Sequence, residues 1–320
     1  MSAWRHRLAA AGWAGARALL RVLPARALRA FLTECARNPA MTDRAGFHVR
    51  RMGFSEPIPD VRALNGRDFE SPRWTHGLDW RDAAQEALVR QIAGRAAELD
   101  ALEAEAAPFR FDNGFYGGAD AAALYLLLRE MKPRRLVEVG SGFSTLVAQA
   151  ALRRNARDGA LATEHVCLDP YPNERTAGVS DAVRFLKTPA EDAPEDVFLA
   201  LRAGDVLFVD SSHVLWPFGD VPRLVLDILP RLRSGVWVHF HDIFLPWDYP
   251  RAWAIRERRI WTEQYLIEAF LSGNPHWEIA LALHRRHRAE GAPLRAAGLR
   301  DGVGHAPCAF WMRRKETATP

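Results

Sequence analysis

Leu136-Val137-Glu138-Val139-Gly140-Ser141-Gly142-Phe143-Ser144-Thr145 is the stretch that decides the fold. Leu136, Val137 and Val139 make a buried strand, which runs straight into a glycine turn at Gly140-Ser141-Gly142. A helix opens behind the turn at Phe143 or Ser144. Such a turn leaves backbone N–H groups free at a helix N-terminus, and glycine removes the Cβ atoms that would hold a ligand away. Glu138 is an acid where an apolar residue would be expected. A carboxylate there repels phosphate and suits a cationic or hydroxyl-rich ligand. Thr145 stands where the third glycine of a Gly-x-Gly-x-x-Gly loop would be, so a pyrophosphate-binding dinucleotide loop is disfavoured.

Downstream, strands and helices go on alternating, the pattern of a parallel sheet. A second strand over 164–168 ends in Asp169-Pro170. A third over 182–186 runs into the loop 188–192. The fourth, 205–209, ends in Asp210-Ser211-Ser212-His213, and the fifth, 236–240, ends in His241-Asp242. Between these two, 222–232 reads as the crossover helix. Ligands of open parallel sheets sit at the carboxyl ends of the strands. Asp210 and Asp242 end neighbouring strands, so their carboxylates lie close together. They must then share a proton or hold a cation between them. Hard oxygens favour Mg²⁺, Mn²⁺ or Ca²⁺, and imidazole nitrogen tilts the choice towards transition metals. His213, three residues past Asp210, is placed to act as a base. A histidine at a strand end also serves simply to hydrogen-bond the carboxylate beside it.

Glu138-Val139-Gly140-Ser141-Gly142 resembles motif I of the class I S-adenosylmethionine-dependent methyltransferases. The stretch 241–250 with Trp261-Thr262-Glu263-Gln264-Tyr265 resembles the methyltransferase-24-like group. The resemblance covers residues 109–315. It implies a Rossmann-like, mostly parallel sheet of seven strands in the order 3-2-1-4-5-7-6, closed by an antiparallel hairpin from 277–284 and 309–312. The implied cofactor is S-adenosylmethionine, held by Glu138, Gly140, Ser141, Gly142, Ser144, Thr145, Asp169 and Asp210. Of these, Glu138, Gly140 and Gly142 would take the methionine part and Asp169 the ribose hydroxyls. The adenine edge falls in 188–192, with Glu191 and Asp192 equally placed. The acid of the fourth strand, the base three residues on and the pair ending the fifth are similar to the metal-dependent O-methyltransferases of the catechol and macrolide-sugar types. Here those positions are Asp210, His213 and His241-Asp242. His241 departs from the acid that those families carry. The implied reaction is methyl transfer to a hydroxyl of a small-molecule acceptor, with Asp210 and His213 catalytic and Mg²⁺ or Mn²⁺ at Asp210, His241 and Asp242. Two other readings stand beside it: a hydroxylase or oxygenase on the same fold, and a non-catalytic binding or assembly protein.

The remainder of the chain frames this reading. Its 320 residues are 48% hydrophobic and 26% charged, which suits a globular protein. The net charge of +4 comes from scattered arginines and does not point to nucleic acid. Cys35, Cys167 and Cys308 are odd in number and far apart, which suggests a reducing, cytoplasmic setting without a disulfide framework. Residues 1–75 read as an N-terminal helical extension and connector, and 76–320 as the catalytic domain. Within 1–37, Trp4, Leu8, Ala11, Leu19 and Val22 form an apolar stripe opposite Arg7, Arg17 and Arg21. Pro24 should end or kink that helix. Such a face docks on its own domain, on a second copy, or on an anionic membrane surface. Residues 80–106 read as one helix. The loop 109–118, with Phe109, Phe111, Phe115 and Tyr116, reads either as packing or as a lid. Residues 243–271 read as a lid and specificity segment, where Glu263 and Gln264 are either acceptor contacts or plain surface residues. Residues 285–303 read as a basic loop.

Overall fold

A computed structural model describes residues 23–172, 174–290, 299 and 306–316. The apolar stripe expected over 4–22, and most of the basic segment 285–303, lie outside these residues. The chain divides between Arg67 and Asp68 into two compact units. In the first, helix α1 (Ala25–Arg37) starts directly after Pro24, and the short helix Pro39–Asp43 and a 3₁₀ turn at Val61–Leu64 follow. The division falls eight residues before the sequence-based boundary. Residues 68–75 side with the second unit: the Arg73 N–H donates to Pro246 O (2.8 Å), and Trp247 Nε1–H donates to Glu70 O (2.9 Å).

Among the described residues the second unit carries seven strands in one sheet. They are β1 (Arg135–Val139), β2 (Glu164–Leu168), β3 (Arg184–Leu186), β4 (Val206–Val209), β5 (Trp237–Phe240), β6 (Trp277–Ala282) and β7 (Phe310–Arg314). Their order is β3-β2-β1-β4-β5-β7-β6. β7 runs antiparallel between β5 and β6, and the other pairings are parallel. This is the class I methyltransferase topology implied by the sequence. Both faces are covered, so the parallel strands read as nearly continuous apolar runs. Val137, Val139, Leu207 and Val209 face one core, with Leu224 and Ile228 of the crossover segment. Leu136, Phe208 and Trp311 face the other. There they meet helices α3 (Gly118–Met131) and α4 (Phe143–Arg157), which follow α2 (Asp82–Ala93) in the chain. In α3, residues 118–129 are all buried, so the helix has no polar face to show in its sequence.

Three expectations need correction. The helix expected over 80–106 is α2, then Gly94, a 3₁₀ turn at Ala96–Ala101 and the short helix Leu102–Glu105. Glycine lowers the helical preference at that point. The crossover at 222–232 is a single turn at Asp220–Pro222, a π-helical stretch at Arg223–Ile228 and a 3₁₀ turn at Leu229–Arg231. Pro222 and Pro230 each remove a backbone donor, which interrupts the regular ladder. The strand expected over 277–284 stops at Ala282, and the segment expected to be a loop begins as the helix Leu283–Glu290.

The carboxyl ends of β1, β4 and β5 are laced to one edge. The Gly140 N–H donates to Leu168 O (2.9 Å), the Asp210 N–H to Val139 O (3.0 Å), and the His241 N–H to Val209 O (2.9 Å). Gly140 sits at φ +83°, and a Cβ there would lie 2.2 Å from the Asp210 carbonyl oxygen. Glycine at 140 therefore lets the turn lie directly against the end of β4.

Candidate functional site

A cavity of about 430 Å³ opens at this edge, within the range usual for small-ligand sites. The glycine turn lines one side through Ser141, Gly142 and Ser144, and Asp210, His213, His241 and Asp242 line the other. No atom lies within 4 Å of where a Gly142 Cβ would project, so the turn presents open space to the cavity.

His213 is the most constrained side chain in the site. It follows β4 in a left-handed backbone conformation (φ +61°), which is unusual for a residue with a Cβ. Its carbonyl accepts the Thr262 and Glu263 N–H groups (2.9 and 3.1 Å) where helix α5 (Glu263–Leu271) begins. Its Nδ1 meets Glu263 Oε2 at 2.8 Å, and its Nε2 lies 3.2 Å from Asp210 Oδ1 and 3.6 Å from Asp242 Oδ2. Burial opposes charge on the ring, but the hydrogen bonds to Asp210 and Glu263 outweigh it and push the pKa up to about 10. Burial raises the carboxyl of Glu263. For Asp210, burial is outweighed by His241 and His213, which hold its carboxyl well below the usual range. Asp210, His213 and Glu263 are thus one hydrogen-bonded chain ending at the cavity.

His241 faces two sets of partners. Its Nδ1 lies 3.7 Å from Asp210 Oδ1 and 3.6 Å from Asp242 Oδ2. Its Nε2 lies 3.6 Å from Asp120 Oδ2 and 3.5 Å from Cys308 Sγ. Donor atoms of Asp210, His241 and Asp242 all fall within 4.8 Å of one another. The sequence-based metal trio is therefore brought together, and its mix of two carboxylates and an imidazole fits a divalent ion.

Other sequence-based residues are placed differently. Glu138 is buried behind the turn, accepts from Ser144 Oγ (2.7 Å), and pairs with His165 Nε2 (2.9 Å). It does not line the cavity. Thr145 is fully buried, and its Oγ1 accepts the Gly142 N–H (3.0 Å), which caps α4. Asp169 Oδ1 accepts the Tyr171 N–H (2.7 Å), while Oδ2 accepts the N–H (3.0 Å) and hydroxyl of Ser141. It shapes the glycine turn from outside the cavity wall. Glu191 and Asp192 belong to the 3₁₀ turn Ala190–Asp192 and do not line the cavity either. Gln264 is buried, and its side-chain oxygen accepts the Phe244 N–H (3.0 Å).

The loop 109–118 is mostly packed, with one aromatic left at the cavity. Phe109, Phe111 and Tyr116 are buried, whereas Phe115 is 64% exposed at the cavity, with the Arg175 guanidinium 4.4 Å above its ring. The supposed lid at 243–271 is mainly a packed wall: Phe244, Tyr249 and Trp253 cluster with Cys308. Trp261 reaches the cavity and lies 4.3 Å from the His213 ring.

Two residues of the site were not singled out from the sequence. Asp120, in the first turn of α3, accepts the N–H groups of Cys308 and Ala309 (3.0 and 2.8 Å). Cys308 precedes β7, which pairs Phe310 with Phe240. An antiparallel β7 beside β5 carries residue 308 to the His241-Asp242 end, a consequence already implicit in the expected topology.

Residues 137–243, about a third of the chain, match the sequence model of a family described as "Methyltransferase domain", Methyltransf_24. An uncharacterized protein of Archaeoglobus fulgidus is 24% identical over 130 residues, which span 38% of this chain and 58% of that relative. The match thus takes in little more than half the length of that protein. Among solved structures, the chain is similar to an SAH-bound methyltransferase of Podospora anserina, at 19% identity over 61% of this chain and 78% of that one (TM-score 0.36). It is also similar to an O-methyltransferase of Bacillus cereus in complex with SAH, at 14% identity over 71% and 91% of the two chains (TM-score 0.37). The segment that builds the glycine turn and both acidic strand ends thus matches a methyltransferase-domain model, on a sheet of class I strand order.

Proposed function

We propose that this domain transfers a methyl group from S-adenosylmethionine to a hydroxyl oxygen of a small-molecule acceptor. One observation carries the reading. A single cavity joins the open face of the glycine turn to Asp210, His213, His241 and Asp242. A sulfonium donor lying along Ser141 and Gly142 would point its methyl group into the acidic end. An acceptor hydroxyl held by Asp210 would approach it in line. Displacement at a methyl carbon needs little covalent help, so positioning within about 3–3.5 Å and exclusion of water would supply most of the rate.

The proton of the hydroxyl has a defined destination. Glu263 fixes Nδ1 of His213, so Nε2 is the atom turned towards Asp210 and the cavity. In the ligand-free protein that ring is protonated at neutral pH. Removing a proton from the acceptor therefore requires positive charge near Asp210 that loosens its hold on the imidazole. A divalent ion bound by Asp210, His241 and Asp242 would supply such charge and favour the ionised hydroxyl. Phe115, Trp253 and Trp261 would shield the site from water and give an acceptor flat apolar surfaces.

The test is calorimetric titration of chelator-treated protein with S-adenosylmethionine, with and without Mg²⁺ or Mn²⁺. Saturable binding is expected. Asp169→Ala should weaken it about tenfold, or about 1.4 kcal/mol, by freeing Ser141 and distorting the turn. Folded protein that fails to bind under either condition would sink the methyl-transfer reading.

A further inference from the structure

A second constellation lies on the other side of the His241 ring. Cys308 Sγ is 3.5 Å from His241 Nε2, 3.5 Å from Asp120 Oδ2 and 3.3 Å from Asp242 Oδ1. His241 Nε2 is 3.6 Å from Asp120 Oδ2. Tetrahedral zinc holds sulfur at about 2.3 Å and nitrogen or oxygen at about 2.0–2.1 Å. Trigonometry then sets sulfur–nitrogen and sulfur–oxygen edges near ~3.5 Å and nitrogen–oxygen edges near ~3.3 Å. The three edges among Cys308, His241 and Asp120 agree with these values to about 0.3 Å.

We infer that Cys308 Sγ, His241 Nε2 and Asp120 Oδ2 form a binding site for one thiophilic divalent ion of the zinc class. The donor set is buried, with Cys308 3% and His241 5% exposed, yet all three residues line the cavity, so an ion can reach them from it. Two features hold the donors in place. The backbone N–H groups of Cys308 and Ala309 orient the Asp120 carboxylate, and the Tyr116 ring packs 4.8 Å from the His241 ring. Such outer contacts fix ligand orientation. A thiolate ligand selects zinc-class ions over Mg²⁺. Binding is balanced by proton loss: the Cys308 S–H bond and the N–H bond at His241 Nε2 break, sulfur–metal and nitrogen–metal bonds form, and the protons leave to solvent. This site uses the opposite nitrogen of His241 from the Asp210 side and does not depend on methyl transfer.

The test is titration of the chelator-stripped full-length protein with Co²⁺, followed by near-ultraviolet absorption. One equivalent should produce a sulfur-to-cobalt charge-transfer band that Zn²⁺ abolishes and that a large excess of Mg²⁺ leaves intact. The band should vanish in Cys308→Ser and Cys308→Ala and persist in Asp210→Asn. Circular dichroism confirms folding of each variant, and the wild-type spectrum decides the matter even if a variant fails to fold. Cobalt binding without the band, displacement by Mg²⁺, or no binding at all would overturn the site. Wild-type protein that binds S-adenosylmethionine but lacks the band overturns this inference alone. Protein that shows the band but does not bind the cofactor overturns only the methyl-transfer reading.

Discussion

His213 is held between Glu263 and Asp210, and its behaviour follows from that position. Its folded pKa of about 10 lies above the ordinary 6.5, so its contribution to stability is complete below pH 6.5 and is lost as pH rises towards 10. In metal-free protein, the imidazole resonances should therefore titrate with a midpoint well above 6.5, and Glu263→Gln should bring it down. The same substitution should lower kcat roughly 10²-fold with little change in KM for the methyl donor. A wild-type midpoint near 6.5 would show that the acid–imidazole–acid chain does not act as a unit. At this scale the sequence was legible where spacing alone fixed position: Asp210, His213, His241 and Asp242 meet because neighbouring parallel strands end together. For Glu138 and Asp169 the spacing placed the carboxylates at strand ends but did not show their protein partners, His165 and Ser141, because those depend on residues far away in sequence.

The elements were legible in proportion to their burial. β2 is buried in four of its five positions and was read to the residue, because a strand covered on both faces is largely apolar, here at Val166, Cys167 and Leu168. The crossover was harder, since Pro222 and Pro230 set its irregular π and 3₁₀ turns without changing its apolar pattern. The helix Leu283–Glu290 was read as loop because its arginines and histidines mask its period. His284 in that helix is buried, and its Nδ1–H donates to Pro307 O (3.0 Å). Burial lowers its pKa to about 4. Between pH 6.5 and 4 only the unfolded chain takes up a proton there, so stability should fall as pH drops through that window, by about 2–3 kcal/mol. His284→Asn, which keeps a donor but cannot titrate, should flatten that part of the curve in denaturant melts at stepped pH. An unchanged slope would place the acid sensitivity elsewhere.

For the whole molecule, the cavity and both cores of the sheet lie within residues 68–316. Deleting residues 1–67 should therefore leave a cooperatively folding protein whose affinity for S-adenosylmethionine stays within about twofold of the full chain. A collapse in affinity, measured by the same calorimetry, would assign the first unit a part in building the site. No helix among the described residues is long and apolar enough to cross a membrane. The sheet order was readable because alternation of strand and helix permits few topologies. The Asp120–Cys308 contact was not, because 188 positions separate its partners. That separation also bears on how the protein is made. β7 fills the slot between β5 and β6, and its leading residues anchor Asp120. During synthesis the first five strands emerge well before residue 308 is joined to the chain. Until then β5 has an open edge and Asp120 lacks its amide partners. The cavity is thus complete only after residue 308 has emerged from the ribosome, and a chain released before residue 308 leaves with its sheet unclosed.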